Sequence, residues 1–368
     1  MKKENTKPIL QTEPWFDDME AEAVSAYIKE GGWITEFKKT KEFEESIAQF
    51  VGSKYCLTAP NGTLTLVMAL IACGVGPEDE VIVPDMTMVA TANAVKLAGA
   101  EVVFADVERE NLCLSLETIL PKVTKKTRAI MLVTFNGRYP AHLGKIVQFC
   151  KEKKIWLIED AAQSLGSYKG GKHLGTFGDI GSFSFSVPKI ISTGQGGALV
   201  TNDASLYKKL KLIKDFGRES GGSDHYLSVG WNFKFTDLQA VVGLEQMKKL
   251  PWRINRKKEI YRLYQEKLKK CSGISLIETN LEDTVPWFVD ILVSDKKRGA
   301  LIEFLKKHDI GSRPGYPALH SEPAYRYKGS FPTTEKIAEE LLWLPSSSKL
   351  TDEEIEKVTD TIIEFFKK

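Results

Sequence analysis

The sequence predicts an α/β protein in which a mostly parallel sheet lies between layers of helices. Short β-branched runs alternate with helical patterns through the first two thirds of the chain, which is typical of strands joined by crossover helices. Several of these runs are almost continuously apolar, as expected for strands covered on both faces. Ligands of such sheets bind beyond the carboxyl ends of the strands, so we expect the functional residues in the loops there.

The predicted elements alternate in a regular order. Strands are expected at residues 55–58, 80–83, 101–105, 129–135, 156–159, 181–186 and 198–201. Helices are expected at residues 63–73, 88–97, 143–153 and 204–215. Asn202 and Asp203 are candidate caps of the fourth of these helices.

The character of the chain changes near residue 240. Residues 237–271 form a long charged amphipathic stretch, which we expect Pro251 to interrupt. A shorter unit of strands and helices follows, and Thr351 with Glu354 forms a capping box before the final helix. We therefore expect a large domain over residues 1–240 and a smaller C-terminal domain over residues 241–368.

Composition argues against several classes of protein. The 368 residues are 42% hydrophobic and 27% charged, which is enough to bury one large or two ordinary cores. Lysine and arginine number 51 against 49 acidic residues, so nucleic acid and anionic membranes are not expected partners. No apolar run approaches the ~20 residues that span a bilayer. Five widely spaced cysteines without a Cys-x-x-Cys pair fit free thiols, so we expect a cytoplasmic protein without a metal site.

Glycines are concentrated in one segment of the chain. Residues 166–197 hold nine of the 28 glycines. Glycine is favoured where the backbone must approach a ligand, although tight turns would explain the same density. We favour a ligand-facing set of loops.

Two residues beside this segment are candidates for cofactor chemistry. Asp160 follows the apolar run at 156–159, where a carboxylate could hold a proton on a heterocyclic nitrogen, as pyridoxal phosphate enzymes require. Capping of a following helix is an equal alternative. Lys189 follows an alternating serine strand and precedes a glycine turn. A sheltered lysine has a lowered pKa and can form a Schiff base, although most lysines lie on the surface.

A third pattern suggests a phosphate site. Asn61, Gly62 and Thr63 lie between a strand and an apolar helix, where free amides and the helix dipole attract anions. A simple N-terminal cap would explain them equally well. The serine hydroxyls at residues 182–186 point to one face, where a phosphate could also lie. Pyridoxal phosphate needs an amine, a pyridinium partner and a phosphate cradle together, so the patterns support one another.

Taken together, these motifs resemble the DegT/DnrJ/StrS family of sugar aminotransferases, and within it the nucleotide-sugar 4-aminotransferases of the perosamine-synthase type. The similar segments are residues 32–35, 61–63, 79–84, 159–163, 175–179, 230–234 and 313–314, together with the strand before Lys189. The resemblance implies the pyridoxal-phosphate-dependent transferase fold of type I, similar to aspartate aminotransferase. That fold has a large domain with a mostly parallel mixed sheet and a smaller C-terminal α/β domain.

The resemblance also implies roles for individual residues. Lys189 would carry the cofactor, Asp160 would face its pyridine nitrogen and Gln163 its ring oxygen. The full set expected to contact the cofactor is Asn61, Gly62, Thr63, Met88, Asp160, Gln163, Ser184, Lys189 and Asn232. Those expected to contact the substrate are Lys234, Arg313, Tyr316 and His320. Since Asn232 matches a residue that reaches the neighbouring subunit's phosphate, a homodimer with shared active sites is implied.

Some positions differ from the usual family pattern. Met88 stands where an aromatic ring commonly covers the cofactor, and a thioether can pack similarly. Lys234 replaces the usual Arg, and Gln195 stands where Glu or Asp is usual. The changes at Lys234 and Gln195 bear on the charges at the substrate side of the site.

The implied reaction moves an amino group from glutamate to a ketosugar, expected to be a nucleotide-linked 4-keto-6-deoxyhexose. The product would serve the synthesis of surface glycans or deoxyaminosugars. One competing hypothesis is a sugar 3-dehydratase, but that branch of the family carries His where this chain has Lys189. A second is an aminotransferase of another phosphorylated ketone, and a third is a non-catalytic protein that binds the cofactor.

Overall fold

The computed structural model describes residues 7–367, so the polar start of the chain lies outside the described residues. A seven-stranded sheet forms the centre of residues 55–201. Its strands are β1 (Tyr55–Ala59), β2 (Glu80–Pro84), β3 (Glu101–Ala105), β4 (Thr127–Val133), β5 (Trp156–Asp160), β8 (Ile180–Ser184) and β9 (Gly197–Thr201). A two-stranded hairpin of β6 (Tyr168–Lys169) and β7 (Lys172–His173) lies between β5 and β8 in the chain. Every predicted strand is present within two residues of its predicted bounds.

The strand order is β1-β9-β8-β5-β4-β2-β3. Strands β2, β3, β4, β5 and β8 pair in parallel, whereas β9 runs antiparallel to both β1 and β8. The sheet is therefore mixed and mostly parallel, as predicted. Its parallel strands end at a common edge, which is where the candidate site lies.

Helices cover both faces of this sheet. The helices of the chain are α1 (Asp18–Lys29), α2 (Lys38–Val51), α3 (Gly62–Ala72), α4 (Ala90–Leu97), α5 (Leu116–Ile119), α6 (Leu143–Lys153), α7 (Ala204–Lys214), α8 (Asp237–Leu268), α9 (Arg298–Lys307), α10 (Pro332–Glu340) and α11 (Asp352–Lys367). Residues of α3, α4 and α7 share one apolar core with the sheet, and residues of α2, α6 and α8 contribute to the cores on the other side. Burial on both faces explains why the strands read as continuous apolar runs.

The caps refine two sequence predictions. Asp203 caps α7, since its carboxylate accepts hydrogen bonds from the amides of Ser205 and Leu206. Asn202 does not cap this helix, because its side-chain oxygen accepts a hydrogen bond from the amide of Lys54 instead. The capping box at the start of α11 is confirmed by reciprocal hydrogen bonds between Thr351 and Glu354.

The expected interruption at Pro251 is wrong, because α8 is one 32-residue helix with Pro251 inside it. A proline within a helix costs about 3 kcal/mol, so other interactions must offset that cost. Helix α8 packs against α1, α2 and α11, and Leu250 and Arg253 beside the proline are buried. Arg253 donates hydrogen bonds to the main-chain oxygens of Trp15 and Ile190. Tertiary packing therefore keeps the helix continuous through a local breaker.

A second, antiparallel sheet lies in the C-terminal part of the chain. Its order is β10 (Ile274–Leu276), β11 (Val289–Val293), β13 (Leu341–Leu344) and β12 (Arg313–Pro314). It forms a separate apolar core with α8, α9 and α11, which Ile9 also joins. We retain residue 240, inside α8, as the proposed domain boundary. Among residues 7–367, no helix has both the length and the apolar character needed to cross a membrane.

Candidate active site

The site lies where β1, β5, β8 and β9 meet at one edge of the large sheet. Strand β5 ends at Asp160, which is paired in register with Ser182 of β8. Two residues later, Ser184 ends β8 and pairs with Gly197, which in turn pairs with Ala59 at the end of β1. The sheet therefore brings Asp160, Ser184 and the segment after β1 together, although they are far apart in the sequence.

Lys189 follows β8, and although the residue as a whole is only half-buried, its amine lies inside the protein. Its Nζ lies 3.9 Å from the centroid of the Trp287 ring. It lines a small cavity together with Gln163, Ser184 and Trp287. Burial lowers the pKa of Lys189 to about 8, and the nearby carboxylate of Asp160 opposes part of that shift. At pH 7 roughly a tenth of such amines are neutral, a few hundred-fold more than for an ordinary lysine.

Asp160 is buried and does not cap a helix, since turns follow it. Its Oδ2 accepts a hydrogen bond of 2.7 Å from the hydroxyl of Thr91, and its Oδ1 accepts one of 3.2 Å from the amide of Ala162. Burial raises the pKa of Asp160, whereas these hydrogen bonds and the charge of Lys189 favour its ionised form. Thr91 in turn lies 2.9 Å, Oγ1 to Oγ1, from Thr87. The carboxylate is thus fixed in orientation by a short chain of hydroxyls.

The segment after β1 forms a cradle at the N-terminus of α3. Asn61 caps the helix, since its side-chain oxygen accepts a 3.0 Å hydrogen bond from the amide of Leu64. A Cβ at Gly62 would lie 2.9 Å from the Cβ of Ser184, and a Cβ at Gly197 would lie 2.8 Å from the main chain of Asn61. Close approach of the three segments therefore requires glycine. The amides of Gly62 and Thr63 precede the first hydrogen bond of α3, so this end of the helix fits a phosphate group.

Gln163 lines the same cavity as Lys189, and its side chain is held by the main chain of Asn136. Its Oε1 accepts a 2.7 Å hydrogen bond from the amide of Asn136, a residue with a positive φ of 55°. The side chain of Asn136 also pairs with the main chain of Phe288, donating to its carbonyl at 2.7 Å and accepting from its amide at 2.6 Å. The large sheet and the C-terminal sheet are thereby joined next to the site. Met88 lies near this edge, just before α4, and is 44% exposed.

Two of the four candidate substrate residues lie together. Tyr316 is buried and packs edge-on against Trp343, with ring centroids 4.8 Å apart. Burial raises the pKa of Tyr316, while the charge of Arg313 opposes that shift and the carboxylate of Asp160 adds to it. Arg313 is exposed, with its guanidinium 5.5 Å from the Trp343 ring centroid. Arg313 and Tyr316 therefore share one aromatic support.

The remaining candidates are engaged elsewhere. His320 is held by Asp85, with Nδ1 2.6 Å from one carboxylate oxygen and its amide donating to the other. The ammonium of Lys234 forms a 2.6 Å ion pair with Asp215. Asn232 is exposed, and its side-chain oxygen accepts a long hydrogen bond of 3.5 Å from the amide of Lys234. The two contacts with Asp85 favour a structural role for His320 in the single chain.

Comparison with known proteins identifies the family. A model of the DegT/DnrJ/EryC1/StrS aminotransferase family matches residues 16–363. The chain belongs to this family. It is 35% identical over 331 residues to GDP-perosamine synthase of Escherichia coli O157:H7, covering 89% of this chain and 90% of that protein.

Solved structures of other aminotransferases agree with this assignment. The aminotransferase TlmJ of Streptoalloteichus hindustanus has a TM-score of 0.92 at 28% identity, with 97% of this chain and 98% of that chain covered. DesI, solved in the presence of its TDP-sugar product, has a TM-score of 0.89 at 27% identity, with 98% and 93% covered. The predicted family, fold class and aminotransferase activity are therefore confirmed. The predicted cofactor is confirmed as well, since the family uses pyridoxal phosphate.

Three residues of this aminotransferase site were not identified from the sequence. Thr91 lies in the first turn of α4 and its hydroxyl contacts that of Thr87, which precedes the helix, so no helical spacing marks it in the sequence. Asn136 and Trp287 reach the site only through the fold, because both act across the contact between the two sheets. No local pattern marks either of them.

Proposed function

We propose that the protein transfers an amino group from glutamate to a nucleotide-linked 4-keto-6-deoxyhexose, with Lys189 as the covalent attachment point of pyridoxal phosphate. The observation that carries the proposal is the buried amine of Lys189, whose pKa is lowered to about 8, at a sheet edge shared with Asp160 and the glycine cradle. GDP-perosamine synthase and DesI with its TDP-sugar product support a nucleotide-sugar substrate. A role in surface glycan or deoxyaminosugar synthesis belongs to the same proposal.

The chemistry needs a base that changes protonation near neutral pH. When bound, pyridoxal phosphate supplies an electron sink that stabilises negative charge on the carbon next to the amino group. Lys189 would first hold the cofactor and then, once displaced by the amino donor, carry the proton removed from that carbon. A pKa near 8 suits both tasks, because the amine can accept and return a proton without a large energetic penalty.

The other side chains would bind and orient the cofactor. Asp160, held by Thr91, would keep a proton on the ring nitrogen, which is what makes the ring an effective electron sink. The amides of Gly62 and Thr63 and the hydroxyl of Ser184 would bind the phosphate at the positive end of α3. Gln163 would face the ring oxygen, and Met88 would cover the ring.

We assign substrate binding to Arg313 and Tyr316, and keep Lys234 and His320 as candidates. An exposed guanidinium supported by the Trp343 ring can bind a diphosphate in a bidentate manner. The charges of that guanidinium and of Asp160 both influence the pKa of Tyr316, in opposite directions. A sugar diphosphate lying along Arg313 would bring its sugar toward Lys189.

We also propose a cytoplasmic homodimer with shared active sites. The loop before Asn232 exposes several large apolar side chains: Phe216, Tyr226, Leu227, Val229 and Trp231. Val229 is 78% exposed, and a second exposed group, Trp33, Ile34 and Phe37, belongs to the segment between α1 and α2. Large exposed apolar patches mark interaction surfaces in water-soluble proteins. A second copy packed on this face would receive Asn232 at its phosphate cradle.

The experiment carries out the two half-reactions in turn and monitors them by absorbance and mass spectrometry. Purified protein loaded with pyridoxal phosphate should lose its visible Schiff-base absorbance when glutamate is added, and 2-oxoglutarate should appear. GDP- and TDP-linked 4-keto-6-deoxyhexoses and a simple phosphorylated ketone are then added separately. The proposal requires a nucleotide ketosugar to restore the absorbance and to yield an aminated product, whereas restoration by the simple ketone alone would contradict it.

A further inference from the structure

The indole of Trp287 contacts Lys189 in two ways. Its ring face lies 3.9 Å from the Nζ of Lys189, and its Nε1 donates a 2.7 Å hydrogen bond to the carbonyl of Pro188, the residue before the lysine. The ring is buried. Trp287 thus supports both the amine of Lys189 and the main chain that carries it.

The segment that presents Trp287 is held on both sides of the indole. The amide of Val285 donates to the hydroxyl of Ser167 at 2.9 Å, and Phe288 pairs through both its amide and its carbonyl with the side chain of Asn136. The amide of Val289 donates to the hydroxyl of Ser346 at 2.8 Å. A segment fixed in this way leaves the indole little freedom to move away from Lys189.

Lys257 supplies a further contact to this segment from α8. Its buried Nζ donates a 2.7 Å hydrogen bond to the carbonyl of Trp287 and another to the carbonyl of Ser346. Burial lowers the pKa of Lys257 to about 7, and the charge of Arg253 lowers it further. No carboxylate within residues 7–367 forms an ion pair with it. Because a buried amine without a counter-ion is costly, its hydrogen bonds to the two carbonyls are what stabilise Lys257 there.

We propose that Trp287 is an active-site residue that stabilises the charged form of the Lys189 amine through its ring face, and that Lys257 is a positioning residue that fixes Trp287. The inference rests on the proposed role of Lys189. Tryptophan has the strongest attraction for a cation among the aromatic residues, and the attraction grows when water is excluded. The indole therefore offsets part of the penalty for burying the ammonium and keeps Lys189 able to take up a proton near neutral pH.

The test measures the pKa of Lys189 in the protein without cofactor. Trace labelling by acetic anhydride from about pH 6 to about pH 10, followed by peptide mass spectrometry, gives the fraction of neutral amine at Lys189. The wild type should titrate near 8. In Trp287→Leu the burial remains but the ring is lost, so the pKa should fall by about one unit, and Trp287→Phe should show a smaller fall.

Lys257→Met keeps the apolar stem but removes both carbonyl contacts, so it should lower the pKa of Lys189 by less than Trp287→Leu does. Lys258→Met is the matched control, because Lys258 donates to the carbonyl of Glu282 at 3.0 Å and has no contact with Trp287. It should leave Lys189 unchanged. If Trp287→Leu does not fold, Trp287→Phe decides the question. An unchanged pKa of Lys189 in a folded Trp287 variant overturns the role of Trp287, and an unchanged pKa in folded Lys257→Met overturns the role of Lys257.

Failure of this inference can be separated from failure of the proposed function. Borohydride reduction of each loaded variant traps the cofactor on its lysine, and peptide mass spectrometry locates it. If the cofactor is trapped on Lys189 while the Trp287 variants leave its pKa unchanged, only this inference fails. If the cofactor is trapped on another residue, the proposed function fails as well.

Discussion

Replacing Thr91 by valine tests how the Asp160 carboxylate is held. The hydroxyl of Thr91 donates to Oδ2 of this buried carboxylate at 2.7 Å, and valine removes the donor with little change in shape. A hydrogen bond to a charged group contributes about 1.5–3 kcal/mol. Since one pKa unit corresponds to about 1.4 kcal/mol, the pKa of Asp160 should rise by about one to two units. An Asp160 carboxylate that is less stable in its ionised form would be less able to keep the ring nitrogen protonated.

The assay measures the rate of the first half-reaction by rapid mixing of the loaded enzyme with glutamate across a range of pH. We expect Thr91→Val to lower the rate about tenfold and to shift its acidic limb to higher pH, as expected when a carboxylate loses about 1.4 kcal/mol of stabilisation. Thr87→Val is the matched control, since that hydroxyl contacts Thr91 and not Asp160, and its effect should be smaller. A Thr91→Val enzyme with the wild-type rate and pH profile would refute the reasoning.

Three further predictions concern the cradle, the buried lysine and the exposed face. Gly62→Ala places a Cβ 2.9 Å from the Cβ of Ser184 and should weaken pyridoxal phosphate binding by about 1–3 kcal/mol in a cofactor titration. Gly144→Ala is the control, because a Cβ there has no neighbour within 4 Å and should leave the affinity unchanged. Equal affinities of the two variants for the cofactor would contradict the proposed phosphate cradle. Because the folded pKa of Lys257 is about 7 and the unfolded value is 10.5, the unfolded chain binds more protons between these values, so the free energy of unfolding should rise with pH across this window. Lys257→Met should reduce that slope by up to about 1.4 kcal/mol per pH unit in urea denaturation, and an unchanged slope would show that Lys257 is charged in the fold. Val229→Glu should shift the protein toward a monomer in analytical ultracentrifugation, while Leu97→Glu, exposed on α4 and not a member of either apolar group, should leave the dimer intact; a dimeric Val229→Glu protein would argue against the proposed interface.

The large sheet was predictable because its signal is local. Most of these strands read as nearly continuous apolar runs and the strand at 181–186 as an alternation of serine and phenylalanine, and these local patterns located all seven within two residues. The continuity of α8 through Pro251 was not predictable, because it depends on Arg253 reaching the main chain of Trp15 and Ile190. The choice between Asn202 and Asp203 as a cap likewise depended on a distant partner, the amide of Lys54.

The residues of the site likewise divide into those that a local pattern predicted and those that only distant contacts bring there. Asp160 and Gly62 were identified at the ends of predicted strands and Ser184 within an alternating serine strand, and the sheet edge brings the three together. Trp287 could not be identified from the sequence, because its contact with Lys189 joins the segment before β11 to the loop after β8. The engagement of His320 by the buried Asp85 was hidden for the same reason.

The covalent attachment of the cofactor is the most direct test of the central claim. Protein loaded with pyridoxal phosphate is reduced with borohydride, digested and analysed by mass spectrometry, with Lys189→Arg treated in parallel. We predict that the reduced pyridoxyl phosphate is found on the peptide containing Lys189 and is absent from the variant. Its presence on a different lysine, or equal labelling of wild type and variant, would contradict the assignment.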